Sequence, residues 1–274
     1  MFESYEQVCG GEDDSLLWSK DLEKLSHGEF LVCCCPDNAV LEDKSQVETG
    51  RHATFVGVYD GHGGPEASRY ISDHFFDDLI RLARENGAMS EDVLRSAFSE
   101  IENGFLTLVR RAYAITPVLA PIGSCCLVGV IWKRMLYVAN LCDSRAVMGC
   151  LNRSYKIVAE QLTRDHNACM EAVMKELTNL HPEDSHIVVM KLGVWRIMGV
   201  IRVSRSTGDA YLKRPEFALD PSFPRFPLPQ PLQRLKILRE RMGEQLDEFN
   251  NIMDAHENID ASLEDKDKTT ILLN

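Results

Sequence analysis

Residues 54–65, TFVGVYDGHGGP, carry the strongest local signal in the chain. In this stretch a run of apolar and β-branched residues leads directly into an acid, a histidine and three glycines. The run at 55–59 predicts a buried strand that delivers Asp60 to a fixed point. The glycines let the backbone turn sharply and approach a ligand, and Pro65 is typical of a helix start. A plain strand, turn and helix without chemistry is the alternative interpretation.

The turn after this strand carries groups suited to a divalent metal and a proton donor. The carboxylate of Asp60 and the free carbonyl of Gly61 are the oxygen ligands that Mg²⁺ or Mn²⁺ prefers. His62 is a candidate proton donor to a leaving group. Glu42 and Asp43 form a second pair of acids within reach of such a site, and a solvated loop is the alternative for that pair.

Length and charge limit the classes of function. A chain of 274 residues that is 45% hydrophobic can bury one large core, which favours one principal domain. The net charge of -12 disfavours nucleic acid and anionic membranes as main partners, because both would repel the chain. The N-terminal residues are acidic, and no stretch approaches eighteen apolar residues. We therefore expect no signal peptide, no membrane span and a cytoplasmic or nuclear location.

The nine cysteines show no spacing typical of a zinc site or a disulfide framework. They include a run of three at 33–35 and the pair Cys125 and Cys126, both within predicted strands. We expect reduced and mostly buried thiols, as is usual in an intracellular protein.

Hydrophobic periodicity predicts helices and strands in separate groups. Apolar residues at helical spacing predict one helix from Pro65, one over 90–112 and one over 168–180. Further strands are predicted at 30–35, 124–132, 135–140, 146–149, 187–190 and 194–203. Such grouping favours an α+β fold over alternating βαβ units.

The composition changes near the C-terminus. Six prolines over residues 215–231 predict an extended segment that cannot be a central strand. Apolar residues at spacings of three and four over 232–259 predict a charged helix that packs on the domain or on a partner. Residues 269–273 predict a closing strand. We divide the chain into a leader (1–28), a main domain (29–231) and a divergent tail (232–274).

Seven blocks of sequence resemble the plant members of the metal-dependent type 2C protein serine/threonine phosphatases. They extend over most of 29–231, and the DGHGG motif is highly specific. The blocks are LEDKSQVE (41–48), FVGVYDGHGGPEASRY (55–70), GSCCLVGVIW (123–132), YVANLCDSRAVMG (137–149), QLTRDHNA (161–168), HPEDSHIVV (181–189) and VSRSTGDAYLKRPEF (203–217).

The resemblance implies a four-layer α-β-β-α sandwich with two central antiparallel sheets, and hydrolysis of phosphoserine and phosphothreonine without a phosphoenzyme. It implies that Asp60 bridges two Mg²⁺ or Mn²⁺ ions and that Gly61 is a backbone ligand. Glu42 and Asp43 resemble the acidic pair that orders metal-bound waters. Asp267 resembles the acid of the family's closing block, which binds the second metal.

The chain departs from the family pattern in three places. It has no Asp-Gly-Leu-Trp block after residue 209, so we expect the fold to be incomplete at its C-terminal end, with one of the two metal sites impaired. Cys142 stands at a turn where the family usually has glycine. Asn38 stands where many members outside the plant group have an arginine that binds substrate phosphate.

Three hypotheses remain open from the sequence. The protein is an active, monomeric phosphatase acting on phosphoproteins, an inactive relative that binds phosphoproteins or partners through its tail, or a partly unfolded product. Two other phosphatase chemistries are disfavoured. No cysteine has the arginine six residues later that a cysteine-dependent enzyme needs. The acids at 265 and 267 precede a strand, whereas an aspartyl-phosphate site follows one.

Overall fold

The computed structural model describes residues 41–50, 53–151, 157–184 and 186–217, together with the backbone of seven short strands outside these ranges. Four helices are present in this part of the chain: α1 (Glu66–Glu85), α2 (Glu91–Ala112), α3 (Glu171–Leu180) and α4 (Ala210–Lys213). Single 3₁₀ turns lie at Pro117–Leu119 and Pro215–Phe217.

The strands are short and mostly antiparallel neighbours. In chain order they are β1 (Glu3–Tyr5), β2 (Trp18–Ser19), β3 (Glu23–Leu25), β4 (Gly28–Phe30), β5 (Cys33–Cys34), β6 (Lys44–Gly50), β7 (Ala53–Tyr59), β8 (Gly61–His62), β9 (Gly123–Ser124), β10 (Leu127–Trp132), β11 (Met135–Asn140), β12 (Ala146–Leu151), β13 (Ile157–Gln161), β14 (Val188–Lys191), β15 (Val194–Ile197), β16 (Thr207–Gly208), β17 (Ile237–Arg241) and β18 (Leu272–Leu273).

A six-stranded antiparallel sheet organises the main domain, in the order β1-β6-β7-β10-β11-β17. One face of this sheet packs against the long helices α1 and α2. Alternate residues of β7, such as Phe55 and Tyr59, point to that face and meet Phe75 and Phe98 of the helices. The side chain of Ser90 accepts a hydrogen bond from the Val93 N–H at 3.2 Å and caps the start of α2.

The opposite face of the six-stranded sheet meets β12 of a second, three-stranded sheet, whose order is β13-β12-β18. Leu127, Leu136 and Val138 contribute apolar side chains from the larger sheet, and Ala146 and Met148 contribute them from β12. The layers of helices, sheet and second sheet confirm the predicted α+β sandwich. None of the helices in the described residues is long and apolar enough to cross a membrane.

Two smaller units complete the described domain. The strands β14 and β15 form a hairpin that packs with α3 through a cluster that includes Val173, Leu177 and Ile197. A small sheet joins β16, β9 and β8, with β9 in the middle. This small sheet begins where β7 ends, so it lies directly at the predicted site.

The tail differs from the sequence prediction. We predicted a helix over 232–259, but Ile237–Arg241 is the strand β17, paired antiparallel with β11, so that prediction is wrong for these five residues. The free edge of β11 offers unpaired backbone groups, and pairing with it overrides helical periodicity. The closing strand is confirmed for Leu272 and Leu273, which pair with β12. The rest of the tail lies outside the described residues.

The cysteine prediction is also wrong at one place. Cys125 and Cys142 form a disulfide, although their spacing in the sequence gave no sign of one. The antiparallel pairing of β10 with β11 brings Cys125, two residues before β10, close to Cys142, two residues after β11. Cys126 remains a free and buried thiol, as expected, and Cys169 is free and exposed.

Candidate metal and acid-base site

Asp60 stands at the end of the buried strand β7, as the sequence predicts. Tyr59 before it is fully buried, whereas Asp60 itself is open to solvent. The Cys125 N–H donates to the Asp60 carbonyl at 2.8 Å, and the hydroxyl of Ser124 donates to the same oxygen at 3.1 Å. The backbone of Asp60 is therefore held from β9 and the residue after it, while its carboxylate faces outward.

Gly61 brings the acidic loop at 41–43 against the end of β7. The Gly61 N–H donates to Oδ1 of Asp43 at 3.1 Å. A Cβ at Gly61 would collide with the carbonyl oxygen of Glu42, and the hydroxyl of Ser68 donates to that same carbonyl. A side chain at position 61 would therefore push away the loop that carries two of the predicted ligands.

Burial and the neighbouring acids change the titration of Asp60. Partial burial, followed by the charges of Asp43 and Asp143, raises the pKa of Asp60 from 3.8 to about 6. The charge of Glu42 adds to this effect, and the nearby His62 opposes it. Concentrated negative charge of this kind is relieved by a cation.

Asp143 is a site residue that the sequence analysis did not single out. It lies in the turn after β11, and the Nδ2 amide of Asn167 donates to its Oδ2 at 2.7 Å. The buried Asn140 holds this turn by donating to the carbonyls of Cys142 and Ser144 at 3.1 and 2.7 Å. Such hydrogen bonds fix the direction of a carboxylate before any ligand arrives.

His62 is paired with a second carboxylate that the sequence analysis also missed. Its Nε2 lies 2.9 Å from Oδ2 of Asp209, whose side chain is 1% exposed. Burial lowers the pKa of His62, but the hydrogen bond and charge of Asp209, with the charges of Asp60 and Glu42, raise it above its usual value overall.

The donor chemistry at this place fits a hard divalent cation. Carboxylates of Asp60, Asp43, Asp143 and Glu42 interact electrostatically here, and oxygen ligands are those that Mg²⁺ and Mn²⁺ prefer. Mg²⁺ usually keeps several waters, so these acids need not touch one another. Asp267, the predicted ligand of the second ion, lies outside the described residues, as does Asn38.

A compact group of three potential ligand atoms occurs once in the described ranges, and it is not the predicted set. It consists of Cys125, Cys142 and Asp143, whose atoms lie within 4.8 Å of one another. The two sulfurs form a disulfide, so they are not available as thiolate ligands. Asp143 is then the member of this group that can serve a metal.

The two missed acids had weak signals in the sequence. Asp143 stands in the YVANLCDSRAVMG block and Asp209 ends the SRSTGD turn, both of which carry the family resemblance. Each lies more than eighty residues from Asp60, so spacing alone could not place it beside the DGHGG turn. The antiparallel pairing of the strands brings both acids there.

A strand-end carboxylate among further acids, beside a histidine and inside an α+β sandwich, is the arrangement expected of a metal-dependent hydrolase. The family model of protein phosphatase 2C matches residues 30–250, and the chain belongs to this family. It is 65% identical over 225 residues to probable protein phosphatase 2C 68 of Arabidopsis thaliana, an alignment that covers 81% of this chain and 57% of the relative. It is also 65% identical to probable protein phosphatase 2C 43 of Oryza sativa subsp. japonica, with 82% and 58% covered. The chain thus spans less than two thirds of the length of these relatives.

Solved structures agree on the fold. A serine-threonine phosphatase 2C from Toxoplasma gondii superposes with a TM-score of 0.58 at 16% identity, covering 89% of this chain and 79% of that structure. A sex determining protein of C. elegans superposes with the same TM-score of 0.58 at 18% identity, covering 85% of this chain and 50% of that one. At these identities the likeness concerns the fold alone.

Proposed function

We propose that the protein hydrolyses phosphoserine and phosphothreonine in proteins with the help of Mg²⁺ or Mn²⁺. The observation that carries this proposal is the carboxylate of Asp60, held at the end of a buried strand, open to solvent and surrounded by other acids. Membership of the protein phosphatase 2C family supports the same reaction.

The acids have distinct roles in this proposal. Asp60 and the carbonyl of Gly61 hold a first cation, and Glu42 and Asp43 hold its waters. Asp143 adds negative charge near Asp60, and Asp267 is proposed to serve a second cation. Bound divalent ions supply charge neutralisation for the phosphoryl group and activate the attacking water.

His62 completes the site as the proton donor. A serine or threonine alkoxide is a poor leaving group, so a proton must reach its oxygen as the bond to phosphorus breaks. His62 lies two residues after Asp60 and is half-buried, which allows it to meet a substrate bound at the acids. The raised pKa of His62 favours the protonated ring that a donor requires.

A second candidate is an inactive relative that binds phosphoproteins or other partners. The sequence lacks the Asp-Gly-Leu-Trp block that supplies one metal ligand in the family. A protein with a single occupied cation site would bind phosphate more weakly and hydrolyse it slowly, because fewer charges stabilise the transition state. In this case the tail at 232–274 would contribute the partner-binding surface.

Phosphate release from a phosphothreonine peptide, measured with and without Mn²⁺, separates the two candidates. We expect release that depends on Mn²⁺ and falls at least about 100-fold in Asp60→Asn. The matched control is Asp73→Asn, which removes an exposed acid of α1 that is not among the groups acting on Asp60. Mn²⁺ binding by calorimetry without phosphate release would favour the inactive relative.

We also propose an oligomeric state and a location for the protein. We infer a monomer that acts on phosphoproteins in the cytoplasm or nucleus, since the acidic chain would be repelled by nucleic acid and by anionic membranes. Sedimentation of the full chain and imaging of a fluorescent fusion test these two statements. A dimer, or a fusion held at a membrane, would contradict them.

A further inference from the structure

His62 and Asp209 are 147 residues apart in the chain, yet their side chains meet at 2.9 Å. The histidine is 33% exposed and reaches the surface of the site, while the aspartate is 1% exposed and lies behind it. A buried carboxylate costs free energy unless it has partners. The pairing therefore calls for a reason beyond chance contact.

The small sheet is built so that these two residues can meet. The strand β9 lies between β8, which carries His62, and β16, which precedes Asp209. The residue of β9 beneath the pair is Gly123, where an added Cβ would lie 2.6 Å from the His62 Nε2 and still closer to the Asp209 carboxylate. Only a residue without a side chain leaves room for the histidine and the aspartate to cross the middle strand.

Asp209 is itself held firmly in place. Its N–H donates to the Ile122 carbonyl at 2.9 Å, and the hydroxyl of Ser206 donates to its Oδ2 at 2.5 Å. Its backbone adopts the left-handed conformation, with a φ of 48° that is unusual for a residue other than glycine. Its second oxygen, Oδ1, is buried and has no hydrogen-bond partner among the described residues. A strained backbone and an unpaired buried oxygen are typical of residues retained for function.

We propose that Asp209 is a positioning residue for His62, which it holds through Nε2 so that the other ring nitrogen, Nδ1, delivers the proton to the leaving oxygen. A carboxylate only accepts hydrogen bonds, so Nε2 keeps its proton throughout and the tautomer of the ring is fixed. This inference rests on the proposed function, because it assigns the support of its proton donor.

The proton balance of the step is simple. The bond between phosphorus and the serine or threonine oxygen breaks, and that oxygen takes the proton from Nδ1 of His62 to become a hydroxyl. The attacking water supplies the oxygen of the new bond to phosphorus and releases one proton to solvent, and a proton from solvent then restores Nδ1. Asp209 exchanges no proton with the substrate, which distinguishes positioning from direct catalysis.

Two substrates with different leaving groups test the inference. Para-nitrophenyl phosphate releases a stable phenolate that needs little protonation, whereas a phosphothreonine peptide releases an alkoxide that needs it. We expect Asp209→Asn to lower kcat for the peptide by about 100-fold and to change kcat for para-nitrophenyl phosphate by less than about threefold. Adding His62→Gln to Asp209→Asn should cause little further loss for the peptide, because both act in one step.

The matched control is Glu102→Gln. Glu102 is another buried acid of this region, and it accepts hydrogen bonds from the Gly208 N–H at 3.0 Å and from Lys213 Nζ at 2.7 Å without touching His62. We expect this variant to affect both substrates equally. Equal losses for both substrates in Asp209→Asn, or an unchanged rate on the peptide, would overturn the inference.

A second measurement does not depend on activity or on the folding of a variant. Nitrogen-15 NMR of the ring in the full, metal-free protein reports which nitrogen of His62 carries the proton in the neutral form. We expect the Nε2–H tautomer, and the Nδ1–H tautomer would overturn the inference. If the wild-type protein hydrolyses neither substrate with Mn²⁺, the proposed function fails. The spectrum still shows whether His62 has the Nε2–H tautomer that pairing with Asp209 requires.

Discussion

At the scale of single residues, the site depends on places where a side chain is absent. Gly61 allows the carbonyl of Glu42 to approach the end of β7, and the Gly61 N–H binds the carboxylate of Asp43. The acids of the 41–43 loop therefore reach Asp60 because position 61 has no Cβ. Gly129, in the middle of β10, is a contrasting glycine whose Cβ position has no neighbour within 4 Å.

We predict that Gly61→Ala weakens Mn²⁺ binding by about tenfold, because the added methyl group displaces the loop that orients the surrounding ligands. Titration calorimetry of the full chain measures this change. Gly129→Ala is the control, since its methyl group enters open space and should leave the affinity unaltered. Equal affinities for the two variants would show that the loop does not contribute to the cation site.

The Asp60 turn could be predicted from the sequence because its information is local. A β-branched run followed by an acid and glycines specifies a strand end, whatever the rest of the chain does. Asp143 and Asp209 could not be placed in the same way, since each reaches the site through strand pairing across many residues. Distant partners depend on topology, which hydrophobic periodicity alone does not specify.

At the scale of elements, long amphipathic helices were the easiest to predict. The helix α2 ends at Ala112 and begins after the Ser90 cap, as the pattern indicates. By contrast, β13 was not predicted, since its residues 158–161 are exposed and lack a clear alternation. The residues of β17 were predicted as helix because their apolar spacing is helical. They form a strand instead because pairing with the edge of β11 overrides that local spacing.

The disulfide joins two elements that carry the site. Cys125 lies between β9 and β10 and donates its N–H to the Asp60 carbonyl, while Cys142 immediately precedes Asp143. Each sulfur also lies 3.5 Å from Oδ1 of Asp143. The disulfide therefore links the residue that binds the backbone of Asp60 to the turn that carries Asp143.

We predict that reduction of this disulfide destabilises the fold by roughly 3 kcal/mol, the entropy cost expected for a loop of about this length. The separation of 17 residues places it in that range. Thermal unfolding with and without a reductant measures the change, which corresponds to a drop in Tm of about 6 °C or more. Cys142→Ser should be insensitive to reductant, whereas Cys169→Ser, at a free and exposed cysteine, should respond as the wild type does. A Tm of the wild type that does not change on reduction would contradict the prediction.

Across the entire chain, the apolar core stabilises the fold, whereas the charges of the acidic site oppose it. The helices and sheets bury apolar side chains on both faces of the six-stranded sheet, which stabilises the fold independently of metal. The site concentrates acids in a chain whose net charge is already -12. The metal-free fold therefore carries a repulsion that a divalent cation removes.

The raised pKa of Asp60 determines whether the stability of the metal-free protein rises or falls with pH. Its pKa is raised from 3.8 to about 6 in the folded protein, so its ionised form is less favourable there than in the unfolded chain. The stability of the metal-free protein should then fall as the pH rises from about 4 through about 6, the range between the two pKa values. At neutral pH the ionised carboxylate opposes folding unless a cation is bound.

We predict that Asp60→Asn raises the Tm of the metal-free protein at pH 7 by a few degrees and abolishes its stabilisation by Mn²⁺. The wild type should instead gain about 2.7 kcal/mol when Mn²⁺ is present at 100 times its Kd, because the ion binds only the folded state. Asp73→Asn, on the exposed face of α1, should keep the full response to Mn²⁺. Thermal unfolding over a Mn²⁺ titration measures all three proteins. A wild type that gains no stability from Mn²⁺ would contradict cation binding by the folded protein. An Asp60→Asn variant that gains as much as the wild type would show that Asp60 does not hold the cation.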